Sequence, residues 1–181
     1  MKTITEAKLQ GLLDQHFLWL EGKGGSRVDL SGLDLSNRDL SGRSLIRVYL
    51  NDCDLSGANL SGSNLAGAAV YNTNMIGCNL KGAKLVEANF NRSDLTNADL
   101  TDTLLFRTKV IGATLIRSNL TRSHMCEVDL TRSNLTDCVL DSSTLIRSQL
   151  EKIIFSGGST TGLVLSRCFN VPSVLKPYEQ K

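Results

Sequence analysis

The sequence lacks several features on which common protein classes depend. Aromatic residues form only 5% of the 181 residues, so aliphatic side chains must fill any interior. No uninterrupted apolar run approaches the roughly 18 residues of a membrane span, and Met1–Lys8 lacks the apolar stretch of a secretory signal. The formal net charge is only +2, so it favours neither a nucleic acid nor a membrane surface as the partner.

Catalytic and metal-binding patterns are equally scarce. The chain has two histidines, His16 and His124, and five cysteines without Cys-x-x-Cys spacing. His124, Cys126 and Glu127 lie close in sequence, but no second histidine or cysteine pair completes a tetrahedral metal site. None of the many Ser and Thr residues has the neighbouring base that an activated nucleophile needs. We therefore expect a protein without enzymatic activity, cofactor or metal.

The dominant feature of the chain is an unbroken repeat. From residue 30 to residue 155 every fifth residue is Leu, Val, Met or Phe, at 26 positions in succession. A period of five fits neither an α-helix nor a simple β-strand. It fits a chain that turns a corner every five residues, with the large apolar residue, here called the centre, pointing inward.

The residues around each centre follow a second pattern. Two positions before the centre the residue is usually small, as at Ala58, Ser63 and Ala98, which indicates a tight second inward position. Asp or Asn often directly precedes the centre. Three of the cysteines occupy the small position: Cys53, Cys78 and Cys138. We interpret them as buried small hydrophobic residues in a reducing cytoplasm rather than as a disulfide framework.

Units such as Ala58–Gly62, Ala98–Asp102 and Ser133–Asp137 resemble the motif of the pentapeptide-repeat family. The resemblance covers about residues 28–156. It implies an all-β solenoid, a right-handed quadrilateral parallel β-helix with four repeats and twenty residues per coil. On that geometry the repeats form about 6–7 coils, a column roughly 30 Å tall at the usual strand spacing.

The expected organisation has three segments: an N-terminal capping helix with a Gly-rich linker (1–27), the β-helix (28–156), and a final partial coil with a C-terminal tail (157–181). Apolar residues recur at three- and four-residue spacing in the first segment, which predicts an amphipathic helix. A solenoid end needs a cover for its apolar core and unpaired backbone groups. The residues expected to provide the cap are Leu13, Phe17, Trp19 and Leu20. A partner-binding or membrane-surface helix is the alternative interpretation.

Three departures from the repeat predict irregularities. Arg38 and Arg43 occupy the small inward position, so we expect a coil that is distorted at that point. Residues 104–110 lose the Asp/Asn signature while keeping their centres. Pro172 and Pro177 are expected to end regular structure, leaving a tail that covers the far end or joins a partner.

Residues twenty apart would stack in columns on one face. The residues that follow centres 45 to 145 in steps of twenty are all apolar: Ile46, Ala66, Val86, Phe106, Cys126 and Ile146. Such a stripe indicates either local packing at the corner or a binding surface, since contiguous exposed apolar stripes are unusual on monomers. The candidate interaction face consists of Ile46, Val86, Leu104, Phe106 and Ile146.

A second column lies beside this stripe and carries alternating charge. Its members from the middle of the chain onward are Glu87, Arg107, Glu127 and Arg147. Opposite charges at stacking distance favour one register of the coils. We call these four residues the charge ladder and predict that they help to hold the coils in place.

The leading functional hypothesis is a rigid cytoplasmic scaffold that presents flat faces to an unidentified protein partner or to its own copy, as a dimer. The family resemblance implies an alternative, a bacterial DNA-mimicking regulator or protector of DNA gyrase. Residues 28–156 carry 13 Lys/Arg and 14 Asp/Glu, so the column is not the acidic one that mimicry requires. The uninterrupted register also leaves no room for projecting loops. A phage-related or secreted-effector role, which the resemblance also allows, has no feature here that tests it.

Overall fold

The chain winds into a parallel β-solenoid that repeats every twenty residues. In the computed structural model, which describes residues 1–180, each repeat pairs with the repeat twenty positions later. One series of pairings runs Asp29, Tyr49, Ala69 and Asn89, and parallel series begin at residues 34, 39 and 44. Four repeats therefore complete one turn, as expected, and each repeat contributes one of four faces.

Regular elements beyond these single bridges are short. In chain order they are β1 (Lys2–Thr3), α1 (Glu6–Leu20), β2 (Leu33–Asp34), β3 (Leu104–Phe106), β4 (His124–Cys126), β5 (Thr144–Ile146), β6 (Val164–Ser166), a 3-10 helix (Lys176–Tyr178) and β7 (Glu179–Gln180). β1 and β2 form a parallel pair, and β3 to β7 form a five-stranded parallel sheet in sequence order. We call the face that carries β3 to β6, together with residues 44–46, 64–66 and 84–86, the strand face.

The centres form the core. Every centre from Leu30 to Leu150 is buried, and only the last one, Phe155, is partly exposed. From Cys53 to Ser148 the small position is buried as well, and where it carries Ser or Thr the hydroxyl usually donates to the carbonyl oxygen of a preceding centre. Examples are Ser63 to Leu60 at 2.7 Å and Thr108 to Leu85 at 2.8 Å. Most small hydroxyl residues are thus accommodated in an apolar column because their polar group is hydrogen-bonded within the coil or to the neighbouring coil, whereas the hydroxyl of Ser123 has no partner among the described residues.

Each corner depends on a left-handed residue two positions after the centre. Glycine is frequent there, as at Gly62 and Gly82, because it adopts positive φ without steric cost. The Asp or Asn before the centre stabilises the same corner, since its Oδ1 accepts the N–H of the residue after the centre. For Asp34 and Ser36 this bond is 3.0 Å long. The hydroxyl and N–H of Ser36 together lower the pKa of Asp34 below its ordinary value.

The N-terminal helix packs on the first coil. Leu9 and Leu13 of α1 are buried and join the apolar core, whereas Phe17 is 55% exposed. The contribution of Phe17 to the cap stays a prediction, since its side chain lines a cleft with Leu13, Arg43 and Ser44 although more than half of it is exposed. Leu9, which was not among the expected cap residues, is buried. Trp19 and Leu20 are partly buried.

Arg38 and Arg43 do not distort the solenoid. Their backbone carbonyls accept hydrogen bonds from the next coil at 2.9 Å, as at any regular position. Their side chains instead reach the helix: Arg38 donates to Glu6 at 2.7 Å, and Arg43 donates to Gln10 at 2.7 Å. The first coil has no preceding coil to pack on, so its small position can carry long side chains that contact α1.

The buried histidine of α1 completes this contact. His16 is fully buried, its Nδ1 accepts the N–H of Val28 at 3.2 Å, and its ring stacks on Trp19. The Nδ1 acceptor role places the proton of the neutral ring on Nε2. Burial lowers the pKa of His16, since desolvation disfavours the charged form.

The C-terminal tail packs against the last coil. Leu175 is buried in the core, and the hydroxyl of Thr160 donates to that of Tyr178 at 2.7 Å. Pro177 does not end regular structure, because it lies inside the 3-10 helix and is followed by β7, which pairs with β6. Residue 181, the end of the expected third segment, lies outside the described residues.

Candidate interaction face

The strand face differs in backbone conformation from the other faces. From Leu104 onward it carries three-residue strands, while elsewhere the coils pair through single bridges. In the register, Leu104 pairs with His124, Leu105 with Met125 and Phe106 with Cys126. The change begins at the segment where the sequence loses its Asp/Asn signature. A flat, continuous sheet surface results over the later coils.

This face exposes apolar side chains. Leu104 is 41% exposed and Ile146 is 37% exposed, while Ile46, Val86 and Phe106 are partly buried. The five candidate residues therefore lie on one face, with the two most exposed ones in the later coils. The guanidinium of Arg107 lies 4.8 Å from the centre of the Phe106 ring, which accounts for part of the burial of that ring.

One corner of the strand face is lined by the charge ladder, and the structure brings all four of its members together. Arg107 Nε donates to Glu127 at 2.8 Å, and the guanidinium of Arg147 lies 3.5 Å from the other oxygen of that carboxylate. Glu87 is held more loosely, 4.0 Å from Arg107. The hydrogen bond from Arg107 lowers the pKa of Glu127 below its ordinary value.

The ladder members adopt the left-handed corner conformation. Glu87, Arg107, Glu127 and Arg147 have φ values of 58°, 54°, 56° and 50°. A side chain with a Cβ costs about 1–2 kcal/mol in this region. Gly67, the member of the same column one coil earlier, avoids that cost. Charged residues therefore occupy corner positions along this edge at which glycine would have a lower conformational cost.

The opposite corner of the strand face carries a second ion pair, which the sequence interpretation missed. Arg122 donates through Nε and a terminal nitrogen to both oxygens of Asp102, at 2.7 and 2.8 Å. This bidentate bond lowers the pKa of Asp102. The twenty-residue spacing of the two residues is the signal that could have revealed the pair. The apolar strand face thus lies between two charged edges.

Residues that suggested other chemistry are not assembled into a site. His124 is exposed and its Nδ1 lies 3.3 Å from the hydroxyl of Thr144. Within residues 1–180 no group of three or more His, Cys, Asp or Glu side chains is placed to hold a metal ion. In the same range no helix has both the length and the apolar character needed to cross a bilayer.

The fold and this face define a class of protein: a parallel β-solenoid with one apolar, charge-edged side. A family model described as pentapeptide repeats matches in eight copies, over ranges that extend from residue 26 to residue 157. The chain therefore belongs to the pentapeptide-repeat family.

Solved structures show the same fold. HetL, a pentapeptide repeat protein involved in heterocyst differentiation regulation from the cyanobacterium Nostoc sp. strain PCC 7120, is 18% identical, with a TM-score of 0.54 over 91% of this chain and 81% of HetL. Trypsin-treated QnrB1, a plasmid-mediated fluoroquinolone resistance protein, is 22% identical, with a TM-score of 0.54 over 77% of this chain and 70% of that one. Among curated proteins no sequence matches this chain. At these identities the likeness shows the fold alone.

Proposed function

We propose that this protein is a non-enzymatic, rigid interaction module whose strand face binds a protein. The observation that carries the proposal is the exposure of Leu104 and Ile146 on a flat sheet surface bounded by ion pairs on both edges. Interfaces commonly combine an apolar centre with a polar, charged rim. A solenoid suits this role because its regular backbone presents the face without rearrangement.

The architecture that supports this role has three segments in our proposal: a cap with its linker (1–27), the repeat column (28–156) and the closing tail (157–181). We take the column to be a right-handed quadrilateral β-helix of about 6–7 coils. The burial of Leu9 and Leu13, together with the Arg38–Glu6 ion pair, supports the interpretation of α1 as the cap. The cap closes one end and leaves the sides of the column available.

The reducing bacterial cytoplasm is the compartment we propose. All five cysteines are free thiols, and Cys53, Cys78 and Cys138 are buried in the core. Burial raises the pKa of Cys78 to about 12, so its thiolate is not formed near neutral pH. These side chains act as small core residues, and an oxidising compartment would give them no structural advantage.

The gyrase alternative receives no specific support from this face. A DNA-mimicking surface needs free carboxylates in columns, whereas Asp34, Asp39 and Asp99 each accept hydrogen bonds from their own corner. Arginines offset the acidic residues in the later coils. We therefore retain gyrase only as one identifiable outcome of the test below.

The test is site-specific photo-crosslinking in the cells that produce the protein. A photoreactive amino acid is placed at Ile146 on the strand face or at Ile76, which holds the same repeat position on another face and is 41% exposed. The proposal predicts a discrete protein adduct from position 146 and none from position 76. Equal labelling at both positions, or none at position 146, contradicts it. The mass of the adduct distinguishes a second copy of this chain from a gyrase subunit or another protein.

A further inference from the structure

We infer that the strand face binds a second copy of this chain, with the two columns antiparallel and the twofold axis between the coils of Arg107 and Glu127. This inference rests on the proposed function and specifies its partner. It depends on the order of charges along the charge ladder. When the ladders of two antiparallel copies face each other, opposite charges meet in one register.

The self-complementarity follows from geometry. A twofold axis that lies in the interface and runs along the strands keeps each column opposite its own copy and reverses the order of the coils. With the axis between the coils of residues 107 and 127, Arg107 faces Glu127 of the second copy. Glu87 then faces Arg147 of that copy, so four contacts along this edge are attractive.

Other registers of the same arrangement are worse. Moving the axis half a coil spacing either way places Arg107 or Glu127 opposite itself. Moving it one full coil towards the N-terminus brings Arg47 opposite Arg147, and one full coil in the other direction brings Arg107 opposite Arg167. Like charges in contact disfavour a register, so the charge order selects one dimer among those that the flat face allows.

The ladder retains exposed charge for such contacts. Its central bond, Arg107 to Glu127, is short at 2.8 Å, but the outer members are held at 4.0 Å and 3.5 Å. The side chains of Glu87 and Arg147 remain 61% and 55% exposed. In the selected register these two loosely held residues face each other across the dimer.

The apolar residues meet in the same register. The axis brings Phe106 opposite Cys126 of the second copy and Val86 opposite Ile146, because these residues share coils with the ladder. Leu104 lies opposite His124. The apolar surface that each chain exposes is thus covered by the corresponding surface of its copy. Since the face is only a few coils long, we expect a weak, concentration-dependent dimer.

Charge reversal tests the register by sedimentation equilibrium across the micromolar range. Glu87→Arg and Arg147→Glu each turn two attractive contacts into repulsive ones and are expected to weaken the dimer about tenfold. The double variant Glu87→Arg/Arg147→Glu restores attraction between the copies while it places like charges next to each other within each ladder. We therefore expect it to regain wild-type dimer affinity and to lose some thermal stability.

Three results would overturn the inference. They are a wild-type protein that stays monomeric, single variants that dimerise as well as wild type, and a double variant that is as weak as the single ones. The second result is also what a parallel dimer predicts, since Glu87 and Arg147 would then face the uncharged Gly82 and Ser142. A monomeric wild type that still gives a crosslink to another protein from position 146 refutes this inference and leaves the proposed function intact.

Discussion

The early and later coils of this solenoid have the same core but different surfaces. Up to about residue 86 most corners carry glycine, the coils pair through single bridges, and the first coil contacts a helix. From Glu87 onward most corners carry charged residues at positive φ, and the strand face becomes a continuous sheet. The core does not require these changes, and in our proposal they belong to the part of the molecule specialised for binding.

The largest expected effect is the loss of stability when a buried centre is truncated, and it tests whether the early and later coils have equally close-packed cores. Leu60 and Leu120 are both buried centres, in an early and a later coil. We expect Leu60→Ala and Leu120→Ala each to lower the free energy of unfolding by about 2–5 kcal/mol, because each leaves a cavity in a close-packed column. Chemical denaturation measures both. A loss in only one of them would show that the core is not uniform.

The corner residues should respond in opposite directions in the two regions. Gly82 has φ +67° and open space around its missing Cβ, so Gly82→Ala is expected to destabilise by about 1 kcal/mol through backbone strain alone. Arg132 adopts φ 60° in a later coil. Arg132→Gly is expected to stabilise by about 0.5–1 kcal/mol, since it relieves that strain at some cost in entropy.

The matched readout is again chemical denaturation of both variants beside wild type. An unchanged stability in both would contradict the view that the later coils accept strain in order to carry charge. A destabilised Arg132→Gly would show instead that the arginine side chain contributes contacts that outweigh its backbone cost.

The pH dependence of stability should depend on the histidine that lies under the first coil. His16 is buried under the first coil and its pKa is lowered from 6.5 by burial. Below pH 6.5 the unfolded chain therefore binds a proton at His16 that the folded chain does not bind. The contribution of the neutral ring to the free energy of unfolding is fully present above pH 6.5 and decreases as the pH falls from 6.5 to the lowered pKa. We expect His16→Gln to flatten this decrease in thermal melts. His124→Gln, at an exposed later position, is the control for the substitution itself.

The smallest expected effect concerns the ladder. Glu127 accepts from Arg107 and its pKa is lowered, so its contribution is present above its ordinary pKa of 4.5 and is lost as the pH falls through the lowered value. We expect Glu127→Gln to reduce thermal stability slightly at neutral pH and low salt. High salt should remove most of the difference because Arg107 is exposed and Glu127 is only partly buried. A difference that is independent of salt would contradict an electrostatic role.

Much of this fold could be predicted from the sequence because every fifth residue has a large apolar side chain that must be buried. Every centre points inward, so the period defines the interior, and the twenty-residue offset places Glu87, Arg107, Glu127 and Arg147 in contact. The ends could not be predicted in the same way. The degree to which Phe17 and Leu9 are buried against the column depends on the orientation of α1 on the first coil. Arg38 was expected to distort the coil because its partner, Glu6, lies outside the repeat.

The candidate site was predictable only in part. The stripe from Ile46 to Ile146 follows from spacing, but the exposure of each member depends on its neighbours, as the cover of Arg107 over Phe106 shows. The lengthening of the strands after Leu104 coincides with the loss of Asp and Asn before the centres. Lys84 lacks that signature as well and still forms only a single bridge, so the composition of one repeat does not decide the backbone.

The most direct test of specialised later coils is to remove one coil from each region. Deleting residues 47–66 or residues 108–127 removes twenty residues in register, so the solenoid can close in both cases. By sedimentation velocity we expect the first deletion to self-associate like wild type, since it removes Arg47, keeps Gly67 opposite Arg167 of the second copy, and leaves the ladder and the face from 87 to 147 intact. The second deletion places Arg107 next to Arg147 and should be a folded monomer. Equal self-association of the two deletions would contradict the account.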